Sequence, residues 1–132
     1  MPRHPTVYAG LLGKLMEEND VKCWLVNTGW SGGGYGVGSR MKIGYTRAMV
    51  NAALDGTLAS LGSRPDPHFG VLVPTSCPGV PSEVLDPKQT WPDTAAYEAA
   101  ANDVVSRFEE NFTQFETAVD ASVNAAAMRV PA

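Results

Sequence analysis

The residues whose types and spacing could do chemistry lie in a glycine-rich stretch, residues 27–41, with six glycines between Gly29 and Gly38. The stretch follows a short apolar run, residues 23–26, and precedes a helical pattern that starts near Ile43. A strand, a glycine-rich turn and a helix in this order bring backbone N–H groups to a helix N-terminus, where an anion or a nucleotide can be held. The stretch is therefore the candidate binding site of the chain.

The spacing of the glycines does not match either of the two common phosphate-binding motifs. A dinucleotide fingerprint needs glycines at i, i+2 and i+5, whereas Gly33, Gly36 and Gly38 are spaced by three and then two. A Walker loop needs Gly-Lys followed by Ser or Thr, whereas this loop ends in Gly38-Ser39-Arg40. The glycines alone indicate positive φ angles or a close backbone approach, and a tight surface turn remains the alternative to a ligand-binding loop.

The elements around this stretch predict a mixed α/β fold. Apolar residues at three- and four-residue spacing predict a helix from Pro5 and another over residues 43–54. Residues 21–26 read as a strand buried on both faces, which gives an αβα-like unit. Residues 58–67 are predicted to be a polar connection, and residues 69–74 a second short strand.

The last third of the chain has a proline-rich part and a helical part. Prolines over residues 75–92 favour an extended path with turns. A long helix is predicted to open at Pro92-Asp93, and its apolar stripe favours packing on a core, with a coiled-coil dimer as the alternative. The stripe comprises Tyr97, Ala101, Val104, Phe108, Phe112, Phe115 and Val119. Residues 119–132 form an alanine-rich tail that could prolong this helix and is expected to fray.

Composition limits the classes of function. A chain of 132 residues with 44% hydrophobic residues fits one modest domain. The formal net charge of −4, with basic residues scattered, argues against nucleic acid as a partner. No apolar run has the length of a membrane span, and the N-terminal residues do not resemble a signal peptide.

The cysteines and histidines give no sign of a catalytic or metal centre. Cys23 and Cys77 are expected to be reduced thiols of a cytoplasmic protein, Cys77 with a structural role. His4 and His68 each lie beside proline, and for each we expect a helix N-cap or a solvated side chain. No group of Cys, His and carboxylate residues has metal-site spacing, so neither a metal ligand nor a catalytic residue is predicted.

Four sequence words, in order, carry a resemblance to a known family: HPTVYAGLLGKL, WLVNTGWSGGGYGVGSRMKIGYTRAMVNAALDG, FGVLVPTSCPGVPSEVLDPKQTW and FEENFTQF. Over residues 1–118 the chain resembles the C-terminal part of ATP-dependent phosphoenolpyruvate carboxykinase. The resemblance implies that residues 1–118 have the fold of the C-terminal segment of that family's nucleotide-binding domain. The tail, residues 119–132, lies outside it.

The resemblance also implies an activity for the complete family protein, which works in gluconeogenesis. It converts oxaloacetate and ATP into phosphoenolpyruvate, CO2 and ADP, with Mg2+ on the nucleotide and often Mn2+ at the substrate. The family's Walker-type loop, metal ligands and oxaloacetate-binding arginines lie upstream of the matched part. This chain alone is therefore expected to be inactive, and to self-associate through apolar surface that the missing part would cover.

The part of the family's ATP site that the resemblance places in this chain is the adenine side. The matching residues are Arg40, Met41 and Thr46, which would hold the base and ribose of ATP. Ser39 stands where the family commonly has Lys and Gly34 where it often has Pro, so the loop is expected to be less positive and less rigid. A stand-alone nucleotide-binding or protein-interaction module without catalysis is the alternative function.

Overall fold

The structure, a computed structural model, describes residues 3–130. Short strands and helices alternate along the chain, so the predicted mixture of helices and strands is confirmed. The α-helices and strands, in chain order, are α1 (Pro5–Glu18), β1 (Trp30–Ser31), β2 (Ser39–Arg40), α2 (Ile43–Leu54), α3 (Thr57–Ser60), β3 (Ser63–Pro65), β4 (Leu72–Pro74), α4 (Pro87–Thr90), α5 (Thr94–Phe112) and α6 (Ala121–Ala125). Two 3-10 turns are also present, Ser82–Leu85 and Glu116–Ala118.

The strands form two separate antiparallel pairs rather than one sheet. Strand β1 pairs with β2, with Trp30 opposite Arg40. Strand β3 pairs with β4, with Arg64 opposite Val73. Each pair has only two or three residues per strand, and isolated two-stranded ladders are marginally stable in water. The stability of the chain therefore depends mainly on how its helices pack.

Helix α1 begins at Pro5 as predicted, because the fixed φ of proline suits the first helical position and its missing N–H costs nothing there. Its apolar face contacts no core of the chain. None of its residues is buried, and the exposed side chains along this face are Val7, Tyr8, Leu11, Leu12 and Leu15, between 42% and 60% accessible. Helix α1 thus presents an amphipathic face to solvent.

The prediction of a buried strand over residues 21–26 is wrong. These residues form neither a helix nor a ladder. Leu25 is 83% exposed, and Cys23 is exposed as well. A strand exists only where a neighbouring strand accepts and donates its backbone hydrogen bonds, and none of the described residues pairs with this segment. The αβα-like unit is therefore incomplete.

One hydrophobic core lies under helix α2 and is made by Ala52, Leu58, Cys77 and Val80. Helix α2 has the predicted bounds, and Gly56, at φ 83°, reverses the chain after it. The prediction of a polar connection over residues 58–67 is wrong, because the reversal directs Leu58 back under α2 and the chain continues into α3 and β3. Burial of this one leucine is worth about 2 kcal/mol.

Helix α5 begins as predicted, and the Asp93 carboxylate accepts a hydrogen bond from the Ala95 N–H at 2.8 Å. Its buried line is Tyr97, Ala101 and Val105, whereas Val104, predicted to face the core, is 40% exposed. The three buried residues recur every four positions, so they lie along one face of the helix.

The predicted apolar stripe ends earlier than expected, since α5 stops at Phe112. The alanine-rich tail does not prolong the helix: Val119 is extended, and α6 follows separately. The tail is held by Arg129, whose guanidinium contacts the carboxylates of Glu116 at 2.7 Å and Glu109 at 3.6 Å. Residues 131 and 132 of the tail lie outside the described residues.

The solvent-accessible surface is large for the mass of the chain. The chain exposes 9326 Å² at 14.0 kDa, whereas a compact monomer of this mass would expose about 6,700 Å². In the part of the chain described, no helix has the length and apolar character needed to cross a bilayer.

Candidate functional site

The glycine-rich stretch folds as a hairpin, and two approaches between backbone segments explain its glycines. Gly38 lies so close to the carbonyl oxygens of Ser31 and Gly33 that a Cβ there would sit 2.7 Å from the Ser31 oxygen. Gly32 has φ 80°, and its Cβ would lie 2.9 Å from the Thr90 carbonyl oxygen at the end of α4. Glycine is required at both places because any side chain would meet backbone atoms.

The hairpin places Trp30 and Arg40 side by side. They are opposite residues of the ladder, and the Met41 N–H donates to the Gly29 carbonyl at 3.1 Å in the neighbouring pair. Because antiparallel pairs alternate, Trp30 and Arg40 form the pair without mutual hydrogen bonds, whose side chains share one face at the closer spacing. Tyr35 packs edge-on against the Trp30 ring, with 5.4 Å between centroids.

The hairpin leads directly into helix α2, so connectivity brings the three predicted site residues to one end of that helix. Arg40 closes β2 and is exposed, Met41 follows and is half-buried, and Thr46 lies in the first turn of α2. The N–H groups of Tyr45 and Thr46 both donate to the Lys42 carbonyl, at 3.0 and 3.3 Å. These residues therefore stand at the positive end of the helix dipole.

The charged residues around the start of α2 are all basic. Between Asp20 and Asp55 the sequence has no acidic residue and four basic ones, Lys22, Arg40, Lys42 and Arg47. Among residues 3–130, Arg40 has no ion-pair partner, and the Lys42 ammonium lies over the Tyr45 ring at 5.6 Å from its centroid. Basic residues are scattered over the whole chain, but this acid-free segment is a local signal that points to an anion.

Two clefts are found on the described part of the chain. One cleft of about 450 Å³ lies between residues 22–26 and the end of α2. Another, of about 440 Å³, lies between the end of α5 and the tail. Neither is lined by Arg40, Met41 or Thr46.

A second polar cluster was missed by sequence reasoning. The prediction that His68 is solvated is wrong: its side chain is 6% exposed, and its Nε2 lies 2.7 Å from Glu98 Oε2. The Asp66 carboxylate accepts hydrogen bonds from the His68 and Phe69 N–H groups, both at 2.9 Å, which fixes the turn that carries His68. His4, in contrast, is exposed at the N-cap of α1 as expected.

Glu98 is the centre of this cluster. Its other oxygen accepts a hydrogen bond from Lys88 Nζ at 2.6 Å. The hydrogen bond from Lys88, and then that from His68, holds the pKa of the Glu98 carboxyl below its ordinary value. The carboxylate therefore joins α4, α5 and the loop before β4. No signal in the sequence could indicate the contact, because the partners are 30 residues apart.

The remaining titratable groups do not form a further centre. Cys77 is buried, and desolvation followed by the Asp55 charge raises the pKa of its thiol, which suits the structural role predicted for it. Across residues 3–130, no three His, Cys, Asp or Glu side chains are placed to hold a metal ion.

The class that the fold defines is a mixed segment of helices and short strands, in which a glycine hairpin leads into a basic helix start. The family model described as phosphoenolpyruvate carboxykinase matches residues 1–83, which include the hairpin and α2. The chain belongs to the ATP-dependent phosphoenolpyruvate carboxykinase family.

Curated relatives extend the match beyond the family model. The phosphoenolpyruvate carboxykinase (ATP) of Geotalea uraniireducens is 58% identical over 93% of this chain. Those of Sinorhizobium medicae and Rhodopseudomonas palustris strain BisB18 are 57% and 55% identical over 96% of the chain. The matched part is 23% of the first protein and 24% of the other two. The chain thus spans about a quarter of the length of the curated relatives it matches.

Proposed function

We propose that this chain is the part of an ATP-dependent phosphoenolpyruvate carboxykinase that forms the adenine side of its ATP site. The observation that carries the proposal is the direct connection from the hairpin to α2, which gathers Arg40, Met41 and Thr46 at a basic helix start. All three lie inside the part of the chain that matches the family model. The complete enzyme would use oxaloacetate and ATP, with Mg2+ and Mn2+ held by residues outside this chain.

Each of the three residues has a chemical role at such a site. The Arg40 guanidinium donates to ribose or phosphate oxygens, or stacks on the base, because it is exposed and has no acidic neighbour in sequence. Met41 packs its polarizable side chain on the purine. The Thr46 hydroxyl donates to or accepts from a base edge. Together they fix the base, while the phosphates extend toward the missing part of the enzyme.

The proposed division of the chain follows the same reasoning. Residues 1–118 are the C-terminal part of the nucleotide-binding domain of the enzyme, and residues 119–132 are an alanine-rich tail. The tail is fixed to Glu109 near the end of α5 and to Glu116 by Arg129.

ATP titration by calorimetry tests the proposed site. Arg40→Ala removes one charge-assisted interaction, so we expect the Kd for ATP to rise about tenfold. Arg107→Ala is the matched control, because Arg107 is an equally charged, 76% exposed side chain paired with Asp103 on α5, and its Kd should equal that of the wild type. Equal affinities for the two variants would remove Arg40 from the site.

Catalysis requires groups that this chain does not supply. Phosphoryl transfer needs a phosphate-binding loop with its lysine, and a metal to neutralise charge. We therefore expect no oxaloacetate-dependent formation of phosphoenolpyruvate by the purified chain in a coupled assay. Measurable turnover, abolished by Arg40→Ala, would contradict the proposed inactivity.

Self-association is a second consequence of the proposal. The exposed face of α1 is an apolar strip of the kind that other parts of a longer chain would cover. Concentration-dependent sedimentation is expected, and Leu12→Glu on α1 should weaken it, whereas Lys14→Ala beside it should not. A monomer at every concentration would contradict this prediction. It would also weaken the alternative function, a stand-alone protein-interaction module, because the exposed α1 face is the surface such a module would use.

A further inference from the structure

Residues 21–28 combine the side-chain pattern of a strand with the surroundings of a loop. Side chains at every second position form one wall of the cleft against α2 and α3: Lys22, Trp24 and Val26. The alternate side chains are outside that cleft and exposed: Val21, Cys23 and Leu25. A period of two is the pattern of a β-strand, whose successive side chains point to opposite faces. One face of this segment therefore lines the cleft beside α2, where Trp24 packs against the core, and the other face is open.

The backbone of the segment has no partner. From residue 22 to residue 28, no N–H or C=O group hydrogen-bonds to any other described residue. The backbone bonds resume only outside the segment, from the Val21 N–H to the Met16 carbonyl and from the Met41 N–H to the Gly29 carbonyl. Both edges of the would-be strand are thus free to accept another strand.

The residue types are those of an interior strand. Strands buried on both faces are near-continuous apolar runs, whereas strands with one solvated face alternate apolar and polar residues. Here Val21, Cys23 and Leu25 make the open face apolar. Leu25 at 83% and Val26 at 45% exposure continue this run of exposed apolar residues, which is longer than the single apolar residues usual on a protein surface.

We propose that residues 22–28 are an unpaired interior strand, and that strands from the remaining part of a longer carboxykinase chain pair with it. An apolar layer of the same part then covers Val21, Cys23 and Leu25. The inference rests on the proposed function in one respect, namely that this chain is part of a longer enzyme. Beyond that, the inference identifies residues 22–28 as the surface that the rest of the enzyme covers, and β-strands as the elements that cover it.

Two quantities favour this occupant over a second copy of the chain. The relatives are about four times longer than this chain, so the sequence able to supply neighbouring strands exists in them. The chain also exposes about 2,600 Å² more than a compact monomer of its mass would. That excess lies on this one chain and is larger than the roughly 800 Å² that each partner contributes to a standard interface between two proteins, as expected when several faces are covered by one larger body.

Amide hydrogen exchange, measured on this chain and on the full-length Geotalea uraniireducens relative, tests the proposal. In this chain, the amides of residues 22–28 should exchange at nearly the intrinsic rate at every protein concentration. In the relative, the aligned amides should exchange at least about a hundredfold more slowly, as in a core strand. Fast exchange in both proteins would overturn the proposal, since the segment would then be a loop in the complete enzyme.

Slow exchange of residues 22–28 in this chain would also overturn the proposal. If the protection rose with concentration, the occupant would be a second copy; if it did not, the segment would pair within its own chain. The ATP titration of Arg40→Ala reports on the nucleotide site independently, because none of residues 22–28 belongs to that site. Either idea can therefore fail without the other.

A pair of substitutions gives a second readout in both proteins. Leu25→Pro removes one N–H, and Leu25→Ala keeps it. In this chain the two variants should have Tm values within about 2 °C of each other. In the relative, proline at the aligned position should lower Tm by about 3 °C relative to alanine, since it removes a ladder hydrogen bond at a cost of about 3 kcal/mol. Equal Tm values in the relative would contradict strand pairing there.

Discussion

The substitution Gly38→Ala tests whether the close packing inside the hairpin is what positions the proposed nucleotide site. A Cβ at residue 38 would lie 2.7 Å from the Ser31 carbonyl oxygen and closer still to that of Gly33. Both atoms belong to the backbone, so no side chain can move aside. The two halves of the loop must separate, at a cost of about 1–3 kcal/mol.

That cost is comparable to the stability of the hairpin but not to that of the chain. Strands β1 and β2 share only two residue pairs, and such a ladder is marginally stable. The core under α2 contains no hairpin residue. We therefore expect Gly38→Ala to open the hairpin locally and to change the Tm of the chain by less than about 4 °C.

The assay is amide exchange at Met41, followed by NMR, because the Met41 N–H closes the base of the hairpin. A cost of 1–3 kcal/mol corresponds to exchange about 5- to 150-fold faster in Gly38→Ala than in the wild type. The Kd for ATP should rise in the same direction, since Arg40 would lose its fixed position.

Gly34→Ala is the matched control. It lies in the same loop, its φ is not positive, and no atom lies within 4 Å of the position of its Cβ. Its exchange at Met41 should equal that of the wild type. The reasoning is refuted if Gly38→Ala leaves Met41 exchange unchanged, or if the two variants accelerate it equally.

Three further predictions concern stability. Val105→Ala should lower the free energy of unfolding by about 2 kcal/mol, because the side chain is fully buried. Val104→Ala, at a 40% exposed position, should cost less than about 1 kcal/mol. Equal losses in urea titrations would contradict the observation that Val105, and not Val104, lies on the buried face of α5. Asp93→Ala should cost about 1 kcal/mol by the same measurement, since it removes the side-chain cap of α5; an unchanged urea midpoint would show that the cap is not formed. Glu98 has a lowered pKa in the folded chain, so its contribution to stability is present above the pKa of the unfolded chain and is lost as the pH falls. The stability difference between wild type and Glu98→Gln should be constant from pH 7 to about pH 5 and shrink below about pH 4. A constant difference down to pH 2 would contradict the ionised contact.

The sequence by itself determined the elements whose signals are local. Pro5 at the first helical position, Asp93 as a cap and Gly56 after α2 each act within one turn of their own backbone, so the starts of α1 and α5 and both bounds of α2 could be read correctly. The glycine-rich stretch could also be identified as the binding candidate, because residue type alone reveals where backbone must approach backbone. Membership of the family followed from words of sequence and needed no coordinates.

Only the tertiary structure decided which side chains meet across the chain. His68 is buried because Glu98, 30 residues away, accepts its hydrogen bond, and Leu58 is in the core because Gly56 turns it there. Neither fact has a local signal. The apolar run over residues 21–26 shows the converse case. Its sequence predicts a strand, but a strand forms only when a second strand hydrogen-bonds to it. A segment whose partners lie outside the chain has the composition of a core element and the exposure of a loop, because hydrogen bonds and burial are supplied by neighbours and not by the residues that need them.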